Sequence, residues 1–146
     1  MIRRMTETDL PEVAELEQKN FSVPWTEANL RESLNLPGYL FLVAEEEGKV
    51  VGYAGLNRVL DEGDVTNIVV AEEYRGRGLG TALTAALLEE GKKEGIQAFT
   101  LEVRFSNLPA VRIYEKLGFV QEGIRKRFYE KPVEDARIMW KREPGQ

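Results

Sequence analysis

The chain has 146 residues, a hydrophobic fraction of 42% and a formal net charge of −5. This length predicts one domain, spanning residues 1–146, around a single substantial core. An excess of 25 acidic over 20 basic residues argues against direct nucleic-acid binding, which needs a basic face. No apolar run approaches the ~20 residues that cross a membrane, and the first residues lack a secretory leader, so we expect a cytoplasmic protein without membrane attachment.

The chain contains neither Cys nor His. These absences exclude a thiolate nucleophile, an imidazole base and a zinc site built from Cys or His, and we predict no metal site. Any acid–base chemistry must therefore use Glu, Asp, Tyr, Lys or backbone groups.

The first half of the chain predicts two helices followed by three strands. A short strand in 1–5 precedes a helix that begins at Thr8 or Asp9 and reaches about Lys19. Thr26 starts a second helix, and 39–60 form a β-hairpin around Glu47-Gly48-Lys49. A polar turn over Asp61–Asp64 then leads into the strand VTNIVV, 65–70. The apolar stripe of the first helix combines Leu10, Val13, Leu16 and Glu17.

The second half predicts a helix from the segment RGRGLG, 75–80, to about Glu94, then a strand in 97–103. A further helix spans Leu108–Leu117, and the segments 119–130 and 136–143 close the sheet as strands. The tail 141–146 is expected to be frayed. The resulting order, β-α-α-β-β-β-α-β-α-β-β, predicts an α/β domain on a mixed sheet.

The segment RGRGLG is the first candidate site, because it joins a strand to a helix amino terminus. The first N–H groups of a helix have no intrahelical acceptor, and glycines let a ligand approach the backbone, so the segment suits a pyrophosphate. It contains neither the P-loop pattern GxxxxGK[ST] nor the dinucleotide pattern GxGxxG, which argues against a nucleotide-binding domain. A basic turn with incidental glycines is the alternative.

Several segments in order resemble one family. Arg75–Gly80 matches the signature [QR]-x-x-G-x-[GA] of the GNAT N-acetyltransferases. FSVPWTEANL, NIVVAEEYRGRGLG, LEVRFSNLPAVRIYEKLGF and EDARIMW resemble its ribosomal-protein alanine N-acetyltransferase branch, the RimI type. The resemblance covers most of the chain. It implies a transferase that moves the acetyl group of acetyl-CoA to the α-amino group of a ribosomal protein beginning with alanine.

The resemblance also implies which residues bind the coenzyme. The strand before the loop binds the pantetheine arm and thioester through backbone atoms, the loop binds the pyrophosphate, and the start of the last helix contacts the arm. The implied coenzyme-binding residues are Ile68, Val69, Val70, Arg75, Gly76, Arg77, Gly78, Leu79, Gly80, Thr81 and Asn107. Asn107 also reads as a helix cap, and Ile68 to Val70 also read as buried strand residues.

Two residues are candidates for proton transfer. Glu102 interrupts the apolar strand FTLEV, but it shares a face with Thr100 and Arg104, so an exposed polar face is an equal alternative. Tyr114 lies at helical spacing from Ala110 and Leu117, which is typical of a core aromatic. The resemblance implies that Glu102 is the general base and Tyr114 the general acid.

The resemblance also implies where the acceptor binds. The resemblance places it near Trp25 and near the final hairpin that contains Tyr129, while Phe105 stands where the branch usually has a small residue. Other protein N-termini, lysines or small amines are alternative acceptors, and a coenzyme-binding module without turnover is an alternative function. The oligomeric state is not predicted.

Overall fold

The computed structural model describes residues 1–142, which form one seven-stranded mixed sheet with helices on both faces. Its order of elements confirms the predicted one. The prediction of a frayed tail is wrong at Lys141 and Arg142, which pair with Phe99 and Ala98 in the sheet, and 143–146 lie outside the described residues. Among residues 1–142 no helix is both long and apolar enough to cross a membrane. The elements are β1 (Ile2–Arg4), α1 (Leu10–Asn20), α2 (Glu27–Leu34), β2 (Tyr39–Glu46), β3 (Lys49–Val59), β4 (Glu62–Val70), α3 (Leu79–Lys93), β5 (Ala98–Arg104), α4 (Leu108–Lys116), β6 (Val120–Tyr129) and β7 (Glu134–Arg142).

The sheet opens between its two parallel strands. The strand order is β1-β2-β3-β4-β5-β7-β6, and only β4 and β5 pair in parallel. Their pairing runs from Glu62 opposite Ala98 to Val65 opposite Leu101 and stops there. β4 continues to Val70 and β5 to Arg104 without pairing to each other. The far ends of these strands therefore leave backbone groups available to a ligand.

Each face of the sheet carries its own core. On one face α3 and α4 pack through residues such as Leu83, Leu87 and Val111. On the other face α1 and α2 pack through residues such as Val13 and Leu30. We call these the α3/α4 face and the α1/α2 face. Because strand side chains alternate between faces, a residue's position in its strand decides which layer it meets.

A β-bulge in β4 changes that alternation beside the opening. In the β3–β4 ladder, Asn67 lies opposite Gly55 and Val65 lies opposite Leu56, so Thr66 has no partner residue. A β-bulge inserts one residue into a strand and alters the direction of the side chains that follow it. Bulges are frequent next to active sites, and this one lies where β4 and β5 separate.

The predicted polar turn Asp61–Asp64 is wrong in its extent. β4 begins at Glu62, and Asp64 lies within the strand, opposite Asn57 of β3 and Thr100 of β5. The Asp64 side chain is exposed and stays in contact with water, while its backbone pairs with both β3 and β5. The backbone pairing therefore outweighs the turn preference of the aspartate.

Candidate active site

The amino terminus of α3 presents an array of unpaired backbone donors. Gly76 and Gly78 have φ values of 79° and 81°, a conformation that L side chains rarely adopt. Within the described chain, the N–H groups of 77–81, which include Leu79, Gly80 and Thr81, make no hydrogen bond to protein. With the positive end of the helix dipole behind them, these groups are suited to bind an anion.

The two loop arginines make contacts within the protein. Arg75 donates from Nε to the Val70 carbonyl at 3.0 Å and from its guanidinium to Asn20 of α1. Arg77 lies 5.0 Å above the Tyr74 ring. Both charges remain beside the loop, and Arg75 also connects α1 to the end of β4. Every helix amino terminus leaves such N–H groups unpaired, so the predicted alternative of a basic turn is compatible with these contacts too.

Backbone groups of β4 face the opening in alternation. Ala71 donates its N–H to Val51 at 2.8 Å, so the odd-numbered residues 71, 69 and 67 direct their groups toward β3. Ile68 and Val70 consequently direct theirs toward β5, across the gap. Val69 pairs with Tyr53 of β3, and its side chain is buried in the α1/α2 core. Ile68 and Val70 are thus better placed than Val69 to contact a ligand through the backbone.

A cleft of about 650 Å³ lies at the opening, on the side of the α1–α2 connection. One wall is the segment 21–25, without its Pro24, and the opposite wall is the hairpin segment 128–132 between β6 and β7. Several residues predicted to be functional line it together. These residues are Trp25, Ile68, Glu102, Asn107, Tyr114 and Tyr129.

Glu102 lies on the cleft side of β5, between the buried Leu101 and Val103. Its side chain is 22% exposed, and Arg125 Nε lies 3.2 Å from its Oε2 in an ion pair. The partial loss of water around Asp64 and then the charge of Glu102 raise the pKa of this neighbouring carboxyl, against the opposing charge of Arg125. Glu102 and Arg104 on the polar face of β5 therefore line a cleft. The sequence pattern suggested either an exposed polar face or a functional carboxylate, and a position in a cleft is compatible with both.

Tyr114 faces the cleft from α4 and also packs in the core. Its ring meets Phe119 edge-on, with centroids 5.9 Å apart. Burial, with a smaller contribution from the neighbouring Tyr129 phenol, raises the pKa of Tyr114 to about 12. The phenol consequently stays protonated at neutral pH and can donate a hydrogen bond to a group in the cleft.

The hairpin wall is tied to the end of β5 by Arg104. Its guanidinium lies 4.4 Å from the Tyr129 ring centroid and donates to the Pro132 carbonyl at 3.0 Å. Burial and then the charge of Glu102 raise the pKa of Tyr129 to about 12. These contacts place a protonated phenol on the wall that faces Trp25.

Phe105 does not line the cleft. β5 ends at Arg104, and the Phe105 ring lies against the Arg137 guanidinium, 3.9 Å from its central carbon. Arg137 also donates to the Phe105 carbonyl at 3.1 Å and 3.0 Å. The structure therefore brings Trp25 and Tyr129 to the cleft but leaves Phe105 on the surface beside β7.

The sequence reasoning missed a buried carboxylate beneath the cleft. Glu17 is 1% exposed. It accepts hydrogen bonds from Trp25 N–H at 2.8 Å, from Asn67 Nδ2 at 2.9 Å and from the Tyr53 hydroxyl. Burial and the Glu17 charge raise the pKa of Tyr53. The available signal was the position of Glu17 on the apolar stripe of α1, where a carboxylate is costly unless it is hydrogen-bonded.

Comparison with known proteins agrees with this geometry. The acetyltransferase (GNAT) family model matches residues 10–119. The chain belongs to the GNAT family of acetyltransferases. The [ribosomal protein bS18]-alanine N-acetyltransferase of Escherichia coli K12 is 37% identical over 136 residues, covering 93% of this chain and 90% of the relative. A Bacillus subtilis (strain 168) protein provisionally given the same name is 40% identical over 140 residues, covering 95% and 93%.

A solved structure shows the same fold. The crystal structure of the ribosomal-protein-S18-alanine N-acetyltransferase from Escherichia coli superimposes with a TM-score of 0.89 and 36% identity, covering 97% of this chain and 92% of that one. As a GNAT acetyltransferase, the protein is an acyltransferase of a family that uses acetyl-CoA as the acetyl donor. A coenzyme with a pyrophosphate is compatible with the unpaired N–H groups at the start of α3.

Proposed function

We propose that residues 1–146 act as one enzyme domain that transfers the acetyl group of acetyl-CoA to the α-amino group of an N-terminal alanine in a ribosomal protein. The relatives in Escherichia coli and Bacillus subtilis carry the name of this reaction. The observation that supports it most directly is the cleft, which brings Glu102 and Tyr114 together at the opening between β4 and β5. The proposed setting is the cytoplasm.

The donor half of the site comprises residues 68–81 and the start of α4. The N–H groups of 77–81, with Arg75 and Arg77 beside them, would hold the pyrophosphate. The backbone groups of Ile68 and Val70 would hold the pantetheine arm and orient the thioester. Asn107 accepts a hydrogen bond from Ala110 N–H at 3.3 Å and also lines the cleft, so it can both cap α4 and contact the arm.

Glu102 and Tyr114 would carry the proton transfers. Glu102 removes a proton from the acceptor ammonium, and the free amine then attacks the thioester carbonyl carbon. The new C–N bond forms as the C–S bond breaks, the nitrogen releases its second proton to solvent, and Tyr114 donates a hydrogen bond to the departing thiolate, which then takes up a proton to become the free thiol. Because a thiol has a pKa of ~8.5 and that of Tyr114 is about 12, we place the main effect of Tyr114 in the hydrogen bond that stabilises the sulfur.

The acceptor half of the site comprises residues 17–25, 64–67, 102 and 125–132. Its two walls border a cleft of about 650 Å³, which the donor residues Ile68 and Asn107 also line and which lies within the range of ~300–1,000 Å³ typical of ligand pockets. Glu102 provides negative charge on the floor, and Asp64 lies close enough for the two charges to interact. This charge favours a cationic amine, and the two walls leave room for a peptide amino terminus.

Mass spectrometry after incubation with acetyl-CoA tests the proposal. Three acceptors are compared: an Ala-initiated ribosomal peptide, the same peptide with a blocked amino terminus and an internal lysine, and a polyamine. We expect acetylation of the first with release of one thiol per acetyl group. Preference for either other acceptor would reassign the substrate, and coenzyme binding without acetylation of any of them would indicate a module without turnover.

A further inference from the structure

Three side-chain oxygens in the described part of the chain are buried without a hydrogen-bond partner, and all three belong to one cleft. They are Thr66 Oγ1, Asn67 Oδ1 and Glu102 Oε2. Glu102 Oε2 has the Arg125 ion pair at 3.2 Å but no hydrogen bond. A buried polar atom without a partner destabilises the folded protein, so three such atoms in one place require an explanation.

The β-bulge explains how these oxygens come to share one face. Without it, Thr66 and Asn67 would point to opposite faces of the sheet. Thr66 Oγ1 lies 3.3 Å from the point where a Gly55 side chain would begin, beside Phe41 of the α1/α2 core. Asn67 bonds Glu17 of α1 and therefore lies on that face too. Glu102 follows Leu101, the last β5 residue paired with β4, so it faces Thr66 across the opening.

Glu17 determines how the Asn67 amide is oriented. Asn67 Nδ2 donates to Glu17 Oε2 at 2.9 Å, so the NH₂ group of the Asn67 amide faces Glu17. The Asn67 carbonyl oxygen must then face away from Glu17. Asn67 is 9% exposed, and it lines the cleft. The buried Glu17 thus keeps an acceptor oxygen, rather than a donor, available at the cleft floor.

We propose that Thr66, Asn67 and Glu102 together bind the three N–H groups of the acceptor ammonium, and that Glu17 is the positioning residue that orients Asn67. This inference rests on the proposed function. After one proton passes to Glu102, the nitrogen lone pair lies where that N–H bond was, and the amine turns about its Cα–N bond to direct the lone pair at the thioester carbon. An ammonium has three donors and no acceptor, which matches three oxygens that lack donors.

The amine reaches these oxygens by displacing part of the cleft lining. Solvent contacts less than 1 Å² of each oxygen. Trp25 lies next to Phe41, with ring centroids 6.4 Å apart, so its segment lies close to the Thr66 side of the floor. Within residues 1–142, Ser22 and Val23 of this lining make no hydrogen bond to protein, so they can move aside at little cost.

A binding cycle tests the proposal. Calorimetry at pH 6.5 compares an Ala-initiated peptide with its desamino analogue, in which hydrogen replaces the α-amino group. The wild-type protein should prefer the amine peptide, and Thr66→Val and Asn67→Ala should each reduce that preference about tenfold, as expected for a hydrogen bond to a charged group. The desamino peptide and coenzyme A should bind all proteins equally. Thr100→Val is the matched control, because its hydroxyl bonds the Met139 carbonyl at 3.1 Å outside the cleft.

Two further variants distinguish the effect of Glu17 on amine binding from its effect on folding stability. Glu17→Gln should reduce the preference for the amine peptide as much as Asn67→Ala does. The double variant Glu17→Gln/Asn67→Ala should reduce this preference no more than either single variant. Tyr53→Phe removes another donor to Glu17, so it should lower Tm without changing the preference. An unchanged preference in Thr66→Val, which is close to isosteric, would overturn the inference even if Asn67→Ala fails to fold. Equal weakening of both peptides by Thr66→Val would overturn it as well.

Turnover of the Ala-initiated peptide by the wild-type protein is measured in parallel. Turnover together with an unchanged preference in Thr66→Val rejects this inference alone. Absence of turnover rejects the proposed function, and this inference with it.

Discussion

The donor half and the acceptor half of the site are built from different chemical groups. The donor half presents main-chain N–H groups at 77–81 and main-chain groups of β4. Its glycines at 76 and 78 adopt the positive φ values that the turn requires. The acceptor half presents side chains from α1, β4, β5 and the β6–β7 hairpin. A backbone site depends on local sequence, whereas a side-chain site depends on contacts between distant elements. Substitutions in the two halves should therefore affect different substrates.

The largest effect is expected from Glu102→Gln. Loss of a general base costs typically ~10²–10⁴-fold in rate, so turnover should fall by that factor while the Kd for coenzyme A stays unchanged. Steady-state kinetics and calorimetry measure the two quantities. Glu122→Gln is the control, because Glu122 is an exposed β6 carboxylate ion-paired with Arg142 outside the cleft. Wild-type turnover in Glu102→Gln would remove this residue from the mechanism.

Tyr114→Phe should reduce turnover by about 10²-fold with unchanged coenzyme binding. Burial raises the pKa of Tyr114 to about 12, so the acid form persists as pH rises and is lost only near that value. The wild-type kcat should consequently show no loss attributable to Tyr114 between pH 7 and pH 10. Tyr39→Phe, which alters a phenol stacked on Phe41 away from the cleft, is the control. An alkaline decline below pH 10 that disappears in Tyr114→Phe would contradict this assignment.

Gly78→Ala should weaken the donor half alone. Its φ of 81° is costly for alanine by about 1–2 kcal/mol, and relaxation of the turn should misalign the N–H groups, raising the Kd for coenzyme A about tenfold. Acceptor peptide binding should not change. Gly48→Ala in the β2–β3 turn is closely matched, since Gly48 has a φ of 76° and also has no atom within 4 Å of an added Cβ. Equal affinities of the two variants for coenzyme A would show that Gly78 is needed only for the backbone conformation of the turn and not for coenzyme binding.

Much of the fold could be predicted because its signals are local. Apolar periodicity, the Thr26 and Asn107 caps and the glycines at 95 and 118 mark the helices within a few residues, and the element order is confirmed. Asp64 was misplaced in a turn because its backbone pairing with β3 and β5 is not visible in a polar segment. The donor loop was visible for the same local reason as the helix ends.

The acceptor half could be predicted only in part because its contacts are distant in sequence. Glu17 meets Tyr53 and Asn67, which lie 36 and 50 residues away along the chain. Its position on the apolar stripe marked it as unusual, but no local pattern identified its partners. The bulge at Thr66 shifts side chains between faces without changing the composition of VTNIVV. Phe105, expected near the acceptor from a departure in a motif, instead packs against Arg137.

The smallest expected effect is that of Asp64→Asn, which tests the charge of the acceptor half. The partial loss of water around its carboxyl and the Glu102 charge raise the pKa of Asp64, so its ionised form is less favourable in the folded protein than in the unfolded chain. At pH 7 asparagine should therefore give a slightly higher Tm. The gain should shrink as pH falls through the folded-state pKa, because the wild-type aspartate then becomes neutral too. Thermal unfolding at pH 7 and at pH 4 measures this. Since Asp64 is exposed, solvent screening keeps the change small, and a lower Tm at pH 7 would show that Arg125 dominates its environment.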